Sequence, residues 1–158
     1  MYPKKFLGQN FLQDEKIVER ILETGEVTKA DTILEIGPGK GILTERLAQM
    51  AGKVLAVEKD WQLVEYLKKS LSQFANLKII HQDVLFFDAA PLPHYKLIAN
   101  LPYNITSPII RKFLTADNPP QLLVLMVQKE VAERLVAKPG DSNRGLSTLL
   151  VEMFGRAE

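Results

Sequence analysis

Between residues 32 and 127, five short apolar runs alternate with stretches of helical periodicity, which restricts the chain to a sheet of parallel strands. The runs at 32–36, 54–57, 77–80, 97–99 and 122–127 are too short and too rich in Val, Ile and Leu to be helices. The stretches between them repeat apolar residues every three or four positions. Such connections make right-handed crossovers, and these cover both faces of the sheet with helices. The expected fold is therefore α/β, a doubly wound parallel sheet.

The helices have readable ends. Asp14 can cap a first helix with Ile17, Val18, Ile21 and Leu22 on one face and Gly25 as its stop. A second helix follows residue 41, carrying Ile42, Leu43, Leu47 and Met50, and Gly52 closes it. A third is expected over 61–74, with Leu63, Val64, Leu67 and Leu71 inward and Lys68 and Lys69 outward. Pro108 suits the first turn of a fourth, and 129–136 and 146–154 read as two more, separated by a polar turn. No internal repeat or linker-like shift in composition appears, so one domain over 1–158 is expected.

Composition removes several classes of function. The chain has 158 residues and no cysteine, so it has neither disulfides nor a thiolate metal site. A domain of this length buries roughly 68–70% of the surface its unfolded chain exposes, enough for a core without staples. His81 and His94 are the two histidines and stand in no ligand spacing, so no metal is expected. The formal net charge of +1 gives no global attraction to nucleic acid, and the basic runs are only pairs such as Arg111-Lys112. RNA, if bound, must be held by local patches. No apolar run suits a signal sequence or an anchor, which makes the cytoplasm the expected compartment.

Parallel sheets bind ligands at the C-terminal ends of their strands, beside the point where strand order reverses. The chain places its informative residues there. Gly37-Pro-Gly39-Lys-Gly41 follows the first strand, where glycines let the backbone approach a ligand and helix N-terminal N–H groups are available. Glu58 follows Gly37 by 21 positions, close to the roughly 20-residue spacing at which an acidic side chain accepts hydrogen bonds from ribose hydroxyls. The spacing G-x-G-x-G, with Ile42 where a dinucleotide fingerprint has its last glycine, makes a nicotinamide cofactor the weaker reading. Gly-Lys without a following Ser or Thr argues against an NTPase phosphate loop. The bland alternative is a tight turn and a solvated Glu58.

Asp83 follows the third strand, and Asn100-Leu101-Pro102-Tyr103 follows the fourth. An amide oxygen, a rigid turn presenting carbonyls and an aromatic ring suit a planar amine. The exocyclic nitrogen of a nucleobase is a poor nucleophile because its lone pair is delocalised. Two acceptors holding its hydrogens turn that lone pair towards an electrophile, while the ring stacks on the base. The alternative is an Asn-initiated turn with Tyr103 packed in the core.

Together these residues resemble the ribosomal RNA adenine N6-dimethyltransferase family of class I S-adenosylmethionine-dependent enzymes. The resemblance rests on Lys5-Phe-Leu-Gly-Gln-Asn-Phe-Leu12, Glu35-Ile-Gly-Pro-Gly39, Val57-Glu58-Lys-Asp60, Gln82-Asp83, Asn100-Leu-Pro-Tyr-Asn-Ile-Thr-Ser-Pro108 and Gln128-Lys-Glu-Val-Ala-Glu-Arg-Leu135. It is nearer the housekeeping small-subunit enzyme than the erythromycin-resistance methylases. It implies that Asn10 and Leu12 close over the methionine side of the cofactor and that Gly37 and Gly39 contact it through backbone. Glu58 would hold the ribose and Asp83 the adenine amino group, with Asn100 beside the methyl donor. Asn100, Leu101, Pro102 and Tyr103 would carry the target base. The implied substrate is two adjacent adenosines near the 3′ end of small-subunit (16S) RNA, within an assembling 30S subunit.

The chain departs from the family pattern at Asn143-Arg144-Gly145, where a Tyr-Gly pair is usual, and at its end. The resemblance implies a final antiparallel strand pair and a helical RNA-binding domain beyond Glu158. The expectation is therefore an N-terminal catalytic piece whose bare fifth-strand edge makes it self-associate, bind RNA weakly and transfer methyl groups poorly. The competing functional class is a non-catalytic RNA-binding or ribosome-assembly factor that keeps the fold.

Overall fold

The computed structural model describes residues 12–101 and 105–158. Five strands, β1 (Thr32–Ile36), β2 (Lys53–Glu58), β3 (Leu77–His81), β4 (Lys96–Asn100) and β5 (Leu122–Met126), form one sheet in the order β3-β2-β1-β4-β5. Every neighbouring pair is parallel, so the expected doubly wound sheet is observed. Order reverses between β1 and β4, whose register sets Ile36 opposite Ala99. The glycine loop and the Asn100 segment therefore leave the sheet side by side.

Alternation along each strand sorts the core into two layers. Ile33, Val54, Ile98 and Val124 meet α1 (Glu15–Thr24) and α2 (Ile42–Met50) through Val18, Ile21, Leu22, Leu43 and Leu47. On the opposite face Leu34, Ile36, Leu55, Val57, Leu97 and Ala99 pack with Ile109 and Phe113 of α4 (Thr106–Leu114). Each fully buried aliphatic side chain contributes about 1.5–3 kcal/mol, so this sandwiched sheet is the main source of stability. Beyond β5 lie α5 (Lys129–Leu135) and α6 (Leu146–Phe154), joined by the Thr148 hydroxyl donating to the Arg134 carbonyl at 2.6 Å and by an Arg144–Glu152 ion pair bridging the turn before α6.

Three local expectations shift. The third helix, α3 (Trp61–Ser70), stops short of residue 74: Leu71 is its C-cap, and residues 71–73 form a turn. Ile17, expected on the apolar face of its helix, is exposed, as is Met50, because each stands at the margin of its helix's apolar stripe. Tyr95, which nothing in its sequence surroundings marks, is 1% exposed and donates its hydroxyl to the Asn118 carbonyl. Among the described residues no helix is long and apolar enough to cross a membrane.

Candidate functional site

The loop after β1 runs through Gly37, Gly39 and Gly41 with φ of 67°, 58° and 86°, a conformation that side chains disfavour. At Gly41 space is lacking too. A β-carbon there would stand 2.6 Å from Leu67 of α3, so this glycine seats α2 against α3. At Gly37 the nearest atom to an added β-carbon is the Asn100 carbonyl oxygen at 3.9 Å, which leaves that side of the loop open towards the end of β4. The Gly37 N–H donates to the Val57 carbonyl at 3.0 Å, pinning the loop to the end of β2.

Glu58, the last residue of β2, is 7% exposed. Its carboxylate accepts the Asp60 N–H at 2.8 Å and the Gly39 N–H at 3.4 Å. Burial pushes its pKa up, and these N–H bonds pull it back. A carboxylate has about four acceptor positions, more than the backbone N–H groups of Asp60, Gly39 and Lys59 take up, so capacity remains for a ligand's hydroxyl. Asp60 caps α3 through Gln62 N–H, which fixes the turn beneath Glu58.

One strand further out, Asp83 caps a single 3-10 turn, Val84–Phe86, by accepting the Leu85 N–H at 3.0 Å. Its other oxygen accepts from Lys59 Nζ at 2.7 Å. The Lys59 bond leads the effects that lower the Asp83 pKa, and Lys112 adds to it electrostatically. Lys59, immediately after Glu58, thus spans from the end of β2 to the end of β3.

On the far side of the order reversal Asn100 ends β4, two positions beyond Ile98 and hence on the sheet face shared by Glu35 and Glu58. Leu101 is buried, and its N–H donates to the Met126 carbonyl at 3.2 Å, leaving its own carbonyl as the group that could accept from a substrate. Leu12 packs against the cluster on the α1–α2 face. The structure therefore brings Gly37, Gly39, Glu58, Asp83, Asn100 and Leu101 to one edge of the sheet. Asn10, Pro102 and Tyr103 lie outside the described residues. Among the described residues no group of three or more acidic or His side chains is placed to hold a metal ion.

Glu35 lies beside the candidate site, and sequence reasoning used it only as part of a motif. It is 1% exposed, and burial pushes its pKa up to about 8, with the nearby Glu58 charge adding to the rise. The Thr44 hydroxyl lies close enough to offset part of this. Neither it nor Glu35 Oε2 makes a hydrogen bond of ordinary geometry among the described residues. The signal was available: an acidic residue in the middle of an otherwise apolar central strand must be buried.

Residues 2–158 match the family described as Ribosomal RNA adenine dimethylase. The chain belongs to that family. A ribosomal RNA small subunit methyltransferase A from Dehalococcoides mccartyi is 46% identical over 156 residues, covering 96% of this chain and 53% of the relative. The protein of the same name from Listeria innocua is 43% identical over 164 residues, covering 98% and 56%. Among solved structures, a dimethyladenosine transferase from Plasmodium falciparum superposes with a TM-score of 0.82 at 33% identity, over 91% of this chain and 52% of that one. The 23S rRNA methyltransferase ErmE gives 0.74 at 34%, over 83% and 53%. This member of the dimethylase family has the fold of class I S-adenosylmethionine-dependent methyltransferases, and it spans about half the length of the curated relatives it matches.

Proposed function

We propose that this chain is the cofactor-binding and catalytic part of an S-adenosylmethionine-dependent methyltransferase acting on N6 of adenine in ribosomal RNA. The observation that carries the reading is the buried Glu58 carboxylate, anchored beside a left-handed glycine loop, with Asp83 one strand away and Asn100 across the order reversal. Glu58 accepts the ribose hydroxyls, and Asp83 accepts from the adenine amino group beside its bond to Lys59. The backbone of Gly37 and Gly39 leaves room for the methionine part, over which Asn10 and Leu12 close. When bound, S-adenosylmethionine supplies a methyl group on a sulfonium, an electrophile that leaves a neutral thioether behind.

The protein's part is to orient the nucleophile. The Asn100 amide oxygen and a main-chain carbonyl at Leu101 or Pro102 accept the two hydrogens of adenine N6, which aims the nitrogen lone pair and stabilises the positive charge that develops on it. Tyr103 stacks on the base. The substrate of the whole protein is two adjacent adenosines near the 3′ end of 16S RNA, each modified twice in the assembling 30S subunit, in the cytoplasm. The family relationship at 43–46% identity supports this choice over a resistance methylase.

Calorimetric titration with S-adenosylmethionine tests the cofactor site. Glu58→Ala is expected to weaken binding by roughly 1–3 kcal/mol, since ribose hydroxyls lose a charged acceptor. Parent-like binding by both Glu58→Ala and Asp83→Ala would overturn the site. In a version extended to the relatives' length, Asn100→Ala is expected to slow single-turnover methylation on the order of 10²–10³-fold while sparing cofactor affinity. Cofactor binding with no methyl transfer by the unmutated extended protein would instead favour an assembly factor.

A further inference from the structure

The 3-10 turn after β3 presents one aromatic ring to solvent from a hydrogen-bonded backbone. Phe86 is 80% exposed. Its N–H donates to the Asp83 carbonyl at 3.0 Å, and its own carbonyl accepts from the Gln82 side-chain amide at 3.1 Å. The next residue, Phe87, turns inward to the core and donates its N–H to the Val84 carbonyl at 3.1 Å. The backbone carrying the exposed ring is therefore fixed on both sides.

Two ammonium groups flank the turn. Lys112 Nζ, from α4, donates to the Leu85 carbonyl at 2.9 Å. That bond is to a neutral acceptor, so it positions the charge without cancelling it. Lys59 Nζ reaches the same turn through Asp83. A chain whose net charge is +1 must attract RNA through local features, and an anchored aromatic beside located cations is the combination that holds single-stranded nucleic acid: the base stacks on the ring and the phosphate meets the ammonium. The ring is not in the target-base position. Three strand spacings, about 14 Å, separate the ends of β3 and β4, so a nucleotide at Phe86 accompanies the one at Asn100 rather than replacing it.

We infer that Phe86, with Lys112 beside it, is a stacking platform for an unpaired nucleotide flanking the target adenosine. The inference rests on the RNA-methyltransferase reading above and extends it to a surface outside the crevice.

The test is fluorescence anisotropy of the chain with a labelled single-stranded oligoribonucleotide at low salt, with S-adenosylmethionine affinity measured in parallel by calorimetry. Phe86→Ala is expected to weaken RNA binding about 5- to 150-fold, the equivalent of about 1–3 kcal/mol for one stacked base. Phe86→Tyr is expected to restore it, and neither change should alter cofactor affinity. Lys112→Gln is expected to reduce the slope of log K against log salt by about 0.7, the loss of one phosphate contact on a single strand. RNA affinity unchanged in Phe86→Ala would overturn the platform while leaving the methyltransferase reading intact. A parent chain that binds cofactor but no RNA would overturn it as well. Failure of the parent to bind cofactor would overturn the methyltransferase reading, and with it the target adenosine beside the platform, whereas the anisotropy arm would still show whether Phe86 holds RNA.

Discussion

Glu35 and Glu58 point into the same side of the sheet from adjacent strands, yet their surroundings set them apart. Glu58 is held by backbone N–H donors, whereas Glu35 has the Thr44 hydroxyl nearby and an oxygen without a partner among the described residues. At neutral pH Glu35 is therefore mainly protonated in the folded chain. Its folded pKa of about 8 lies above the unfolded value of 4.5, so the folded state holds more protons between those limits. The contribution of Glu35 to stability then falls as pH rises from about 4.5 to 8, the reverse of the usual carboxylate trend. Glu35→Gln, which keeps the shape and removes the titration, is expected to flatten that part of a denaturation–pH profile and to be no less stable than the parent at pH 8. An unchanged slope would show that Glu35 is ionised where it sits. Gly37, Glu58, Asp83 and Asn100 could be placed at one edge of the sheet from the sequence because strand ends and spacing locate them. Glu35 was missed because spacing says nothing of how an inward-facing charge is neutralised. Phe86 was missed because exposure belongs to the tertiary fold and leaves no periodic trace.

Strands were the most legible elements: the run at 32–36 is β1 to the residue, and the others differ by one or two positions at their ends. Helix ends were readable where a side chain caps them, as Asp14 and Asp60 do through the N–H groups of Lys16 and Gln62. The end of α3 was not, since the apolar spacing continues through Leu71 while the backbone has already left the helix. One long-range tie was invisible beforehand. Lys96, at the start of β4, donates to the carbonyls of Gly25 and Glu26 and to Asp31 at 2.8–3.0 Å, closing the turn between α1 and β1. Glu26 takes a positive φ of 43° there, a conformation that this clamp helps hold. Burial raises the Asp31 pKa, but the Thr28 N–H and Lys96 outweigh it and leave the group below its ordinary value. Its contribution is therefore present above about pH 4 and lost as pH falls through the folded pKa. Lys96→Met is expected to cost roughly 3 kcal/mol in urea denaturation, because it strands a partly buried carboxylate. In the glycine loop, Gly41→Ala should destabilise more than Gly37→Ala, since both face an unfavourable φ but only Gly41 would drive a β-carbon into Leu67. Equal losses in thermal denaturation would contradict the packing given for α2 and α3.

At the scale of the molecule, β5 is an edge strand of the described sheet, and the two helices that follow it in the chain bury little. Leu146, Met153 and Phe154 are 69%, 74% and 50% exposed, and no residue of α5 is buried. An open edge beside an apolar surface is a template for pairing with another chain. Prepared as these 158 residues, the protein is expected to form dimers or larger species in sedimentation velocity at micromolar concentration. A monodisperse monomer would mean that the surface beyond β5 is tolerated in water. The strand order also has a consequence in time. β1 lies at the centre of the sheet, but its two neighbours come from distant parts of the chain: β2 begins at Lys53, and β4 does not begin until Lys96. At synthesis rates of about 5–20 residues per second, a growing chain holds β1 with one bare flank for roughly 2–9 seconds between those two points. Throughout that interval the Leu34 and Ile36 side chains lack Leu97, Ala99, Ile109 and Phe113. The newborn protein thus passes the interval in which its central strand is half-paired while still attached to a ribosome.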